Sequence, residues 1–336
     1  MKKYASLLLF ALLLNGCDDG DLTVDTIDFK DVTSASCDPL TNTLIYKLKP
    51  QESLLLNMPI DKTVVNDPTI EGQPPLTYTI DNAAYRVVYR AYDGTVAKEN
   101  ICGTIPPKTP NVTEEWIALP GGKIEITTSA VYKTPAPTDG HTEIIGYNHN
   151  IIFKNITFEK PSGPQVEPEY VFGNYQTTVP AVVVNFLEPG NAKYCPEFKK
   201  VFNNNTSNSL VIENFDGANL IKNEDTPTGN PRTSLINLNA TTNNLFYRTY
   251  NGNLPLAANE NYYCLQKTPT SPTVQDTWVG LAGEENVSGI IQVTTTHSIK
   301  VYKHEIVLKN ATLKKGNSTF KLATDFILGT VTTIEP

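Results

Sequence analysis

The sequence lacks the motifs by which most enzymes and nucleotide-binding proteins can be identified. It has no His-Glu-x-x-His pair, no Gly-x-Ser-x-Gly elbow, no phosphate-binding loop and no dinucleotide fingerprint. Basic residues never occur in runs longer than two, and the net charge of −8 repels phosphate backbones. We therefore expect no nucleic-acid partner, no cofactor and no catalytic residues.

Histidine is also scarce, at four residues among 336. His149 and His304 each come shortly after a tyrosine, in matching contexts. A duplicated metal or proton-transfer site would explain such a pair, but neither has a second His, Cys or carboxylate at metal-ligand spacing. We therefore interpret both as strand positions where imidazole packs and hydrogen-bonds, and we expect no metal.

Helical periodicity is absent after residue 16. In that part of the sequence no apolar stripe recurs every three to four positions. Segments such as AYRVVYRAY, KIEITTSAVY and NIIFKNITFE instead alternate polar and apolar residues, and turn signals such as YDG, LPGG and PTDG interrupt them. Such alternation is typical of half-buried strands. The sequence thus predicts an all-β chain built of antiparallel β-sandwiches.

Residues 1–16 have the pattern of an export signal. Lys2 and Lys3 precede an apolar run, residues 4–14, that is shorter than the ~20 residues needed to span a bilayer. The segment ends in Leu-Asn-Gly-Cys, which resembles the lipobox of bacterial lipoproteins. That resemblance implies a diacylglyceryl group on the Cys17 thiol and a further acyl chain on its amine, and so a stable membrane anchor. The alternative is an ordinary cleaved signal peptide with an incidental cysteine.

The residues behind Cys17 are acidic, and we interpret residues 17–24 as a tether. Asp-Asp-Gly-Asp resembles the acidic patch of surface-exposed lipoproteins of the Bacteroidota, which implies a place on the outer face of the outer membrane. A solvated tether on a periplasm-facing lipoprotein would look the same. Asp-Thr-Ile at Thr26 resembles the short O-glycosylation signal of exported proteins from that group.

The strongest internal pattern is a repeat, because three segments recur in one order at nearly constant offset. VVYRAYDG (87–94) matches LFYRTYNG (245–252), YNHNIIFKNITFEK (147–160) matches YKHEIVLKNATLKK (302–315), and EYVFGNYQTT (169–178) matches DFILGTVTTI (325–334). The sequence therefore predicts two homologous sandwich domains, residues 25–178 and 179–336. They abut with almost no free linker, so we expect limited relative freedom.

Five cysteines would leave one unpaired in an exported protein. If Cys17 carries lipid, each copy keeps one pair, although four cysteines allow three connectivities. A unit that was once single carried its own pair, so we favour Cys37 with Cys102 and Cys195 with Cys264. Each bridge would stabilise the fold by ~4 kcal/mol on the chain-entropy model.

A Tyr-Arg-x-Tyr motif occurs once in each copy. Its members could form a sugar-stacking platform that faces a ligand: Arg90, Tyr92, Arg248 and Tyr250. On an alternating strand Tyr89 faces away from Tyr92, so we expect one ring in the core and the other at the surface. Structural stacking is the simpler role for the motif, and we favour it. Matched tryptophans are expected in the core: Trp116 and Trp278.

Loop differences between the copies are further candidates for function, because loops on a common scaffold carry specificity. Copy one is longer than copy two around KTPAPTDGHTE. We expect a protruding hairpin there, which could be a binding edge or solvated length variation.

Three functions fit these features. We expect a non-enzymatic binding or structural module of the outer membrane, anchored to the membrane by lipid and contacting a surface protein or another surface component. A glycan-binding lipoprotein of a polysaccharide-uptake system is the second, and exposed co-facing aromatic rings would favour it. The third is a glycan hydrolase, which would need two carboxylates about 5 to 9.5 Å apart in a cleft, such as one between the copies.

Overall fold

A computed structural model describes residues 26–60, 64–182, 184–186, 190–238, 241–255 and 262–335. The predicted signal peptide and the whole predicted tether, residues 17–24 with Cys17, lie outside these residues. The described chain is almost entirely β, and its named strands all pair in the antiparallel sense. The predicted all-β sandwich class is therefore confirmed, whereas the duplication stays a prediction.

We call residues 26–178 the first unit, although its last strand continues to Val182. Its strands are β1 (Ser34–Ser36), β2 (Leu44–Lys49), β3 (Glu52–Asn57), β4 (Leu76–Thr79), β5 (Arg86–Tyr92), β6 (Val112–Ala118), β7 (Lys123–Tyr132), β8 (Ile144–Glu159) and β9 (Gln165–Val182). A short helix, α1 (Lys98–Cys102), follows β5. The strands hydrogen-bond in the order β1-β2-β3-β5-β6-β8-β7-β4, with β9 against β8.

The second unit comprises the described residues from 179 onward. Its strands are β10 (Lys193–Cys195), β11 (Lys200–Asn204), β12 (Asn208–Glu213), β13 (Arg232–Leu235), β14 (Asn244–Tyr250), β15 (Val274–Gly280), β16 (Ile290–Ser298), β17 (Val301–Lys309), β18 (Thr312–Lys315), β19 (Ser318–Lys321) and β20 (Asp325–Ile334). Short helical turns lie at Pro196–Phe198 and α2 (Gly217–Leu220). One sheet has the order β10-β11-β12-β14-β15-β18-β19, and the other β13-β16-β17-β20.

One long strand serves both layers of the first unit. β8 pairs with β7 up to Lys154 and with β6 at Phe158 and Glu159. Asn155, between these stretches, has a φ of 49°, a left-handed conformation that asparagine tolerates better than most residues. In the second unit Asn310, with a φ of 48°, separates β17 from β18. The same kink thus moves the chain from one layer to the other in both units.

The main cores lie between these layers and follow from the alternation in the sequence. In β7 the residues Ile124, Ile126 and Thr128 are buried and their neighbours are more exposed, because successive side chains point to opposite faces. Core residues of the second unit also pack against Ile144 and Tyr147 from β8 of the first. The two cores are therefore in contact rather than joined by a free linker.

A small second cluster covers the outer face of each larger sheet. In the first unit Tyr46, Leu55 and Val88 pack against the Cys37–Cys102 disulfide, and in the second a tyrosine-rich cluster packs against Cys195–Cys264. The Cα atoms of the two pairs are 5.3 and 5.5 Å apart. Both disulfides are the ones that the sequence favoured.

Candidate functional site

A cleft of about 420 Å³ lies where the two units meet. Its floor is the face of β14 and β15 that carries Tyr247 and Trp278, which pair across the two strands. Thr249 and Asp276 form the next pair on the same face, because side chains alternate along a strand. The end of β9, residues 179–182, forms one wall. The volume lies in the range of small-ligand sites.

The remaining lining comes from both units. Asn66 and Tyr147 of the first unit face Gln275 and Lys315 of the second. Asp276 accepts a hydrogen bond from the Lys315 ammonium, so the carboxylate in this lining is already ion-paired. Burial, together with the nearby Asp276 charge, raises the pKa of Tyr247 to about 12. The phenol thus stays protonated at neutral pH, and the cleft has no net charge from these three groups.

Hydrogen bonds from the first unit hold the β18–β19 hairpin beside this cleft. The Asp67 carboxylate accepts from the backbone N–H of Asn317 at 2.6 Å, and the Tyr147 hydroxyl lies 2.9 Å from that of Ser318. Gly316 has a φ of 57°, and a Cβ there would lie 2.6 Å from Asp67 Oδ1. Glycine therefore suits this position, because it adopts a positive φ without strain and leaves room for the Asp67 carboxylate.

The extension around KTPAPTDGHTE is the connection of the β7–β8 hairpin and is mostly exposed, but its far end contacts the second unit instead of standing free. We call residues 133–143 the clamp, since they lie along the second unit. Thr142 exchanges two hydrogen bonds with Lys321, of 3.1 and 2.8 Å, and the Asp139 carbonyl accepts from the Thr324 N–H at 2.8 Å. The extra length of this connection in the first unit is thus used to hold the two units together.

Charged and titratable side chains within the clamp also bond one another. His141 Nδ1 lies 2.5 Å from Asp139 Oδ1, and its Nε2 lies 3.0 Å from Glu143 Oε1, which also accepts from Lys133. Burial disfavours the imidazolium, but the hydrogen bonds to Glu143 and Asp139 outweigh it and raise the pKa of His141. In the described part of the chain no group of three or more His, Cys, Asp or Glu side chains is arranged to hold a metal ion.

His149 and His304 are fully buried and hydrogen-bonded on both ring nitrogens. His149 Nδ1 lies 3.0 Å from Thr128 Oγ1, and Nε2 lies 3.1 Å from Thr177 Oγ1. His304 makes the equivalent contacts to Thr295 at 2.9 Å and Thr333 at 2.8 Å. The interpretation of both histidines as packed strand residues is therefore confirmed.

The threonine beside Nε2 of each histidine determines which ring nitrogen carries the proton. Thr177 donates its hydroxyl proton to Asn66 Oδ1 at 2.7 Å, so it can only accept from His149 Nε2–H. Thr333 donates to Asn223 in the same way, so His304 also carries its proton on Nε2. Burial lowers the pKa of His149 to about 4 and lowers that of His304, so both rings are neutral at neutral pH.

Sequence reasoning missed the asparagines of these networks. Asn66 and Thr69 stand in NDPT, and Asn223 and Thr226 stand in NEDT. Each of these threonines accepts from the backbone N–H of the residue that bonds its histidine, Thr128 or Thr295. The matching tetrapeptides were a detectable signal, but they are too short to stand out beside the longer repeats.

The second tyrosine of each Tyr-Arg-x-Tyr motif is buried, so its expected place at the surface is wrong. Tyr92 is 7% exposed and its hydroxyl lies 3.0 Å from Ser53 Oγ, while Tyr250 is 5% exposed and hydrogen-bonds Tyr263. The disulfide-linked segments cover this face of the sheet, as the outer clusters show. Neither ring offers a stacking face to a ligand.

The arginines of the motif are held by carboxylates on neighbouring strands. Arg90 Nε donates to Glu115 at 2.6 Å, and Arg248 Nη1 donates to Glu213 at 3.1 Å. The Arg248 guanidinium also lies 4.5 Å from the centre of the Phe246 ring. These contacts support the structural role of the motif over the ligand-facing one. Trp116 and Trp278 are 2% and 4% exposed, so their expected place in the core is confirmed.

Lys47 is a buried cation that sequence reasoning did not single out. It is 2% exposed, and its ammonium donates to the Phe29 carbonyl at 2.9 Å and lies 5.3 Å from the Phe172 ring centre. Burial lowers the pKa of Lys47, against the attraction of Asp31. Asn203 takes the matching register position in the second unit and bonds the Leu328 carbonyl at 2.9 Å. Both side chains therefore cross the core to the opposite layer.

Two further predictions concern the N-terminal region. Cys17 lies outside the described residues, and Thr26 is exposed. Among the residues that the structure describes, no helix has the length and apolarity needed to cross a membrane.

Comparison with known proteins finds no matching family model, no similar curated protein and no similar solved structure.

Proposed function

We propose that this chain is a lipid-anchored protein of the bacterial cell envelope, held at the outer membrane through Cys17, and that it acts by binding. Its two disulfides support export, because such bridges persist mainly in oxidising compartments. The observation that carries the binding role is the cleft between the units. Its lining joins aromatic rings with amide and hydroxyl groups, the usual composition of a site that orients a small ligand.

Glycan binding is the second candidate, and the amide and hydroxyl groups that line the cleft favour it. The aromatic rings of the described lining are only 3 to 6% exposed, so they are not the exposed co-facing rings that such a site was expected to show. Glycan hydrolysis has less support, because it needs two carboxylates that can exchange protons with the substrate. The described lining of the cleft contributes a single carboxylate, Asp276, and Lys315 already neutralises it.

The anchor can be tested by cell fractionation. Cys17→Ala removes the thiol that would carry lipid, so we expect the variant to leave the membrane fraction while the wild type stays in it. Cys102→Ser is the matched control, because it removes a disulfide thiol and should leave the protein membrane-bound. If Cys17→Ala remained in the membrane fraction, the anchor would be wrong.

The binding role can be tested with labelled soluble protein that starts at residue 18, added to cells lacking the chain. We expect saturable binding, and Ala181→Trp should weaken it because residue 181 lines the cleft and the larger side chain would fill it. Ala83→Trp is the control, since residue 83 is exposed in a loop of the first unit. Binding that Ala181→Trp left unchanged would contradict the assignment of the cleft.

A further inference from the structure

The two tryptophans occupy matching register positions, but different side chains close over them. Trp116 pairs with Tyr89, and Trp278 pairs with Tyr247. In the first unit the Trp116 indole N–H donates to Glu114 Oε1 at 2.7 Å, and the Lys160 ammonium lies 4.3 Å from the ring centre. The polar edge of Trp116 is therefore already satisfied and covered.

Trp278 lacks this closure. The position of Glu114 is taken by Asp276, which is one methylene shorter and bonds Lys315 instead of the indole. The Trp278 N–H has no hydrogen-bond partner among the described residues, and the residue is only 4% exposed. Its Nε1 is not one of the fully enclosed side-chain atoms that lack a partner, so this atom keeps some access to solvent. Because Trp278 lines the cleft, a ligand there can supply the missing acceptor.

Other polar side chains in the cleft lining can also hydrogen-bond a ligand. Thr177 binds Asn66 Oδ1 and so fixes the orientation of the amide, which leaves the Asn66 NH₂ group as a donor at the cleft. Thr249 and Gln275 add a hydroxyl and an amide. The lining therefore offers several neutral donors and acceptors beside aromatic rings.

We propose that the cleft binds one or two units of an uncharged saccharide, with the Trp278 N–H donating to a sugar oxygen. The proposal rests on the binding role assigned to the cleft above and names its ligand class. Hydroxyl-rich rings match this lining because their oxygens both donate and accept hydrogen bonds. The rings of Tyr147, Tyr247 and Trp278 are only 3 to 6% exposed, so they contribute the Trp278 N–H and a tyrosine hydroxyl rather than stacking faces. An acidic sugar fits less well, because Asp276 and Lys315 already neutralise each other.

Saturation-transfer NMR on the soluble protein from residue 18 tests the ligand class. The probes are maltose, cellobiose, lactose and N,N′-diacetylchitobiose, with digalacturonic acid as the charged comparison. We expect transfer to at least one neutral disaccharide and weaker or no transfer to the acid. Trp278→Phe removes the N–H but keeps a ring against Phe320, so it should weaken binding about tenfold, or about 1.4 kcal/mol.

Asp276→Glu provides a second variant that leaves the core intact. The longer carboxylate should reach the Trp278 N–H as Glu114 reaches Trp116, and so compete with the sugar. Trp116→Phe is the matched control and should leave binding unchanged. The proposal is wrong if none of the four neutral probes receives transfer, if the acid is preferred, or if both Trp278→Phe and Asp276→Glu bind as the wild type does. Binding to cells that remains sensitive to Ala181→Trp would then preserve the binding role with a different ligand.

Discussion

Protonation of His149 should destabilise the first unit as the pH falls. Its ring is fully buried and neutral, and both nitrogens are engaged by threonines, so an added proton finds no acceptor. The folded-state pKa of about 4 lies below the ordinary 6.5, so the unfolded chain binds the proton first. The stability that the neutral ring contributes is thus complete above pH 6.5 and is lost as the pH falls towards 4.

The size of this loss follows from the two pKa values. The His149 pKa is 6.5 in the unfolded chain and about 4 in the folded one. At a pH near 4 this difference lowers the free energy of unfolding by about 3 kcal/mol relative to neutral pH. His149→Gln keeps a donor and an acceptor but cannot be protonated. It should cost about 1 kcal/mol at neutral pH through poorer hydrogen bonds. On acidification the wild type should then lose about 3 kcal/mol more than the variant.

Denaturant unfolding near pH 7 and near pH 4 measures this difference, because the carboxylates of both proteins titrate alike and cancel. His297→Gln is the control, since that imidazole is 46% exposed and pairs with Asp225 at the surface. An NMR titration should also show His149 protonating near pH 4, well below the ordinary value of 6.5, with Nε2–H as the neutral tautomer. Equal acid sensitivity of wild type and His149→Gln would refute the reasoning.

Two further predictions concern what holds the units in shape. Cys102→Ser and Cys264→Ser should each lower the free energy of unfolding by up to about 4 kcal/mol, because the bridges close loops with sequence separations of 65 and 69 residues. Chemical denaturation measures this loss, and an unchanged midpoint would contradict it. Asp67→Ala should cost about 1 to 3 kcal/mol, because it leaves the Asn317 N–H unpaired, and should separate the melting of the two units in calorimetry. Glu71→Ala, a substitution at an exposed residue, is the control and should leave a single transition unchanged.

The sequence was most informative where a feature depends on local periodicity or on comparison of the two predicted copies. Alternation in β7 and β16 identifies strands and their buried faces, since burial there has a period of two. The disulfides followed from counting cysteines per copy. The core position of Trp278 followed from its match with Trp116.

Features that depend on distant segments could not be predicted in this way. Alternation places Tyr89 and Tyr92 on opposite faces, but it does not reveal that a disulfide-linked segment covers the second face. The clamp looked like a free hairpin because its partner, Lys321, lies far along the chain. The Trp278 N–H lacks a partner because the Asp276 side chain is shorter than that of Glu114 and bonds Lys315 instead. The overall similarity of the two predicted copies hides this difference of one methylene group.

The outer clusters make the finished surface of each unit depend on oxidation. The segments that carry Cys102 and Cys264 cover Val88 and Tyr250, whereas the inner cores are formed by other side chains. A newly made chain with reduced thiols can therefore assemble its sandwich interior and still expose an apolar patch on each larger sheet. Such patches bind chaperones and other exposed chains. The two disulfides therefore fasten the segments that keep these outer apolar clusters covered.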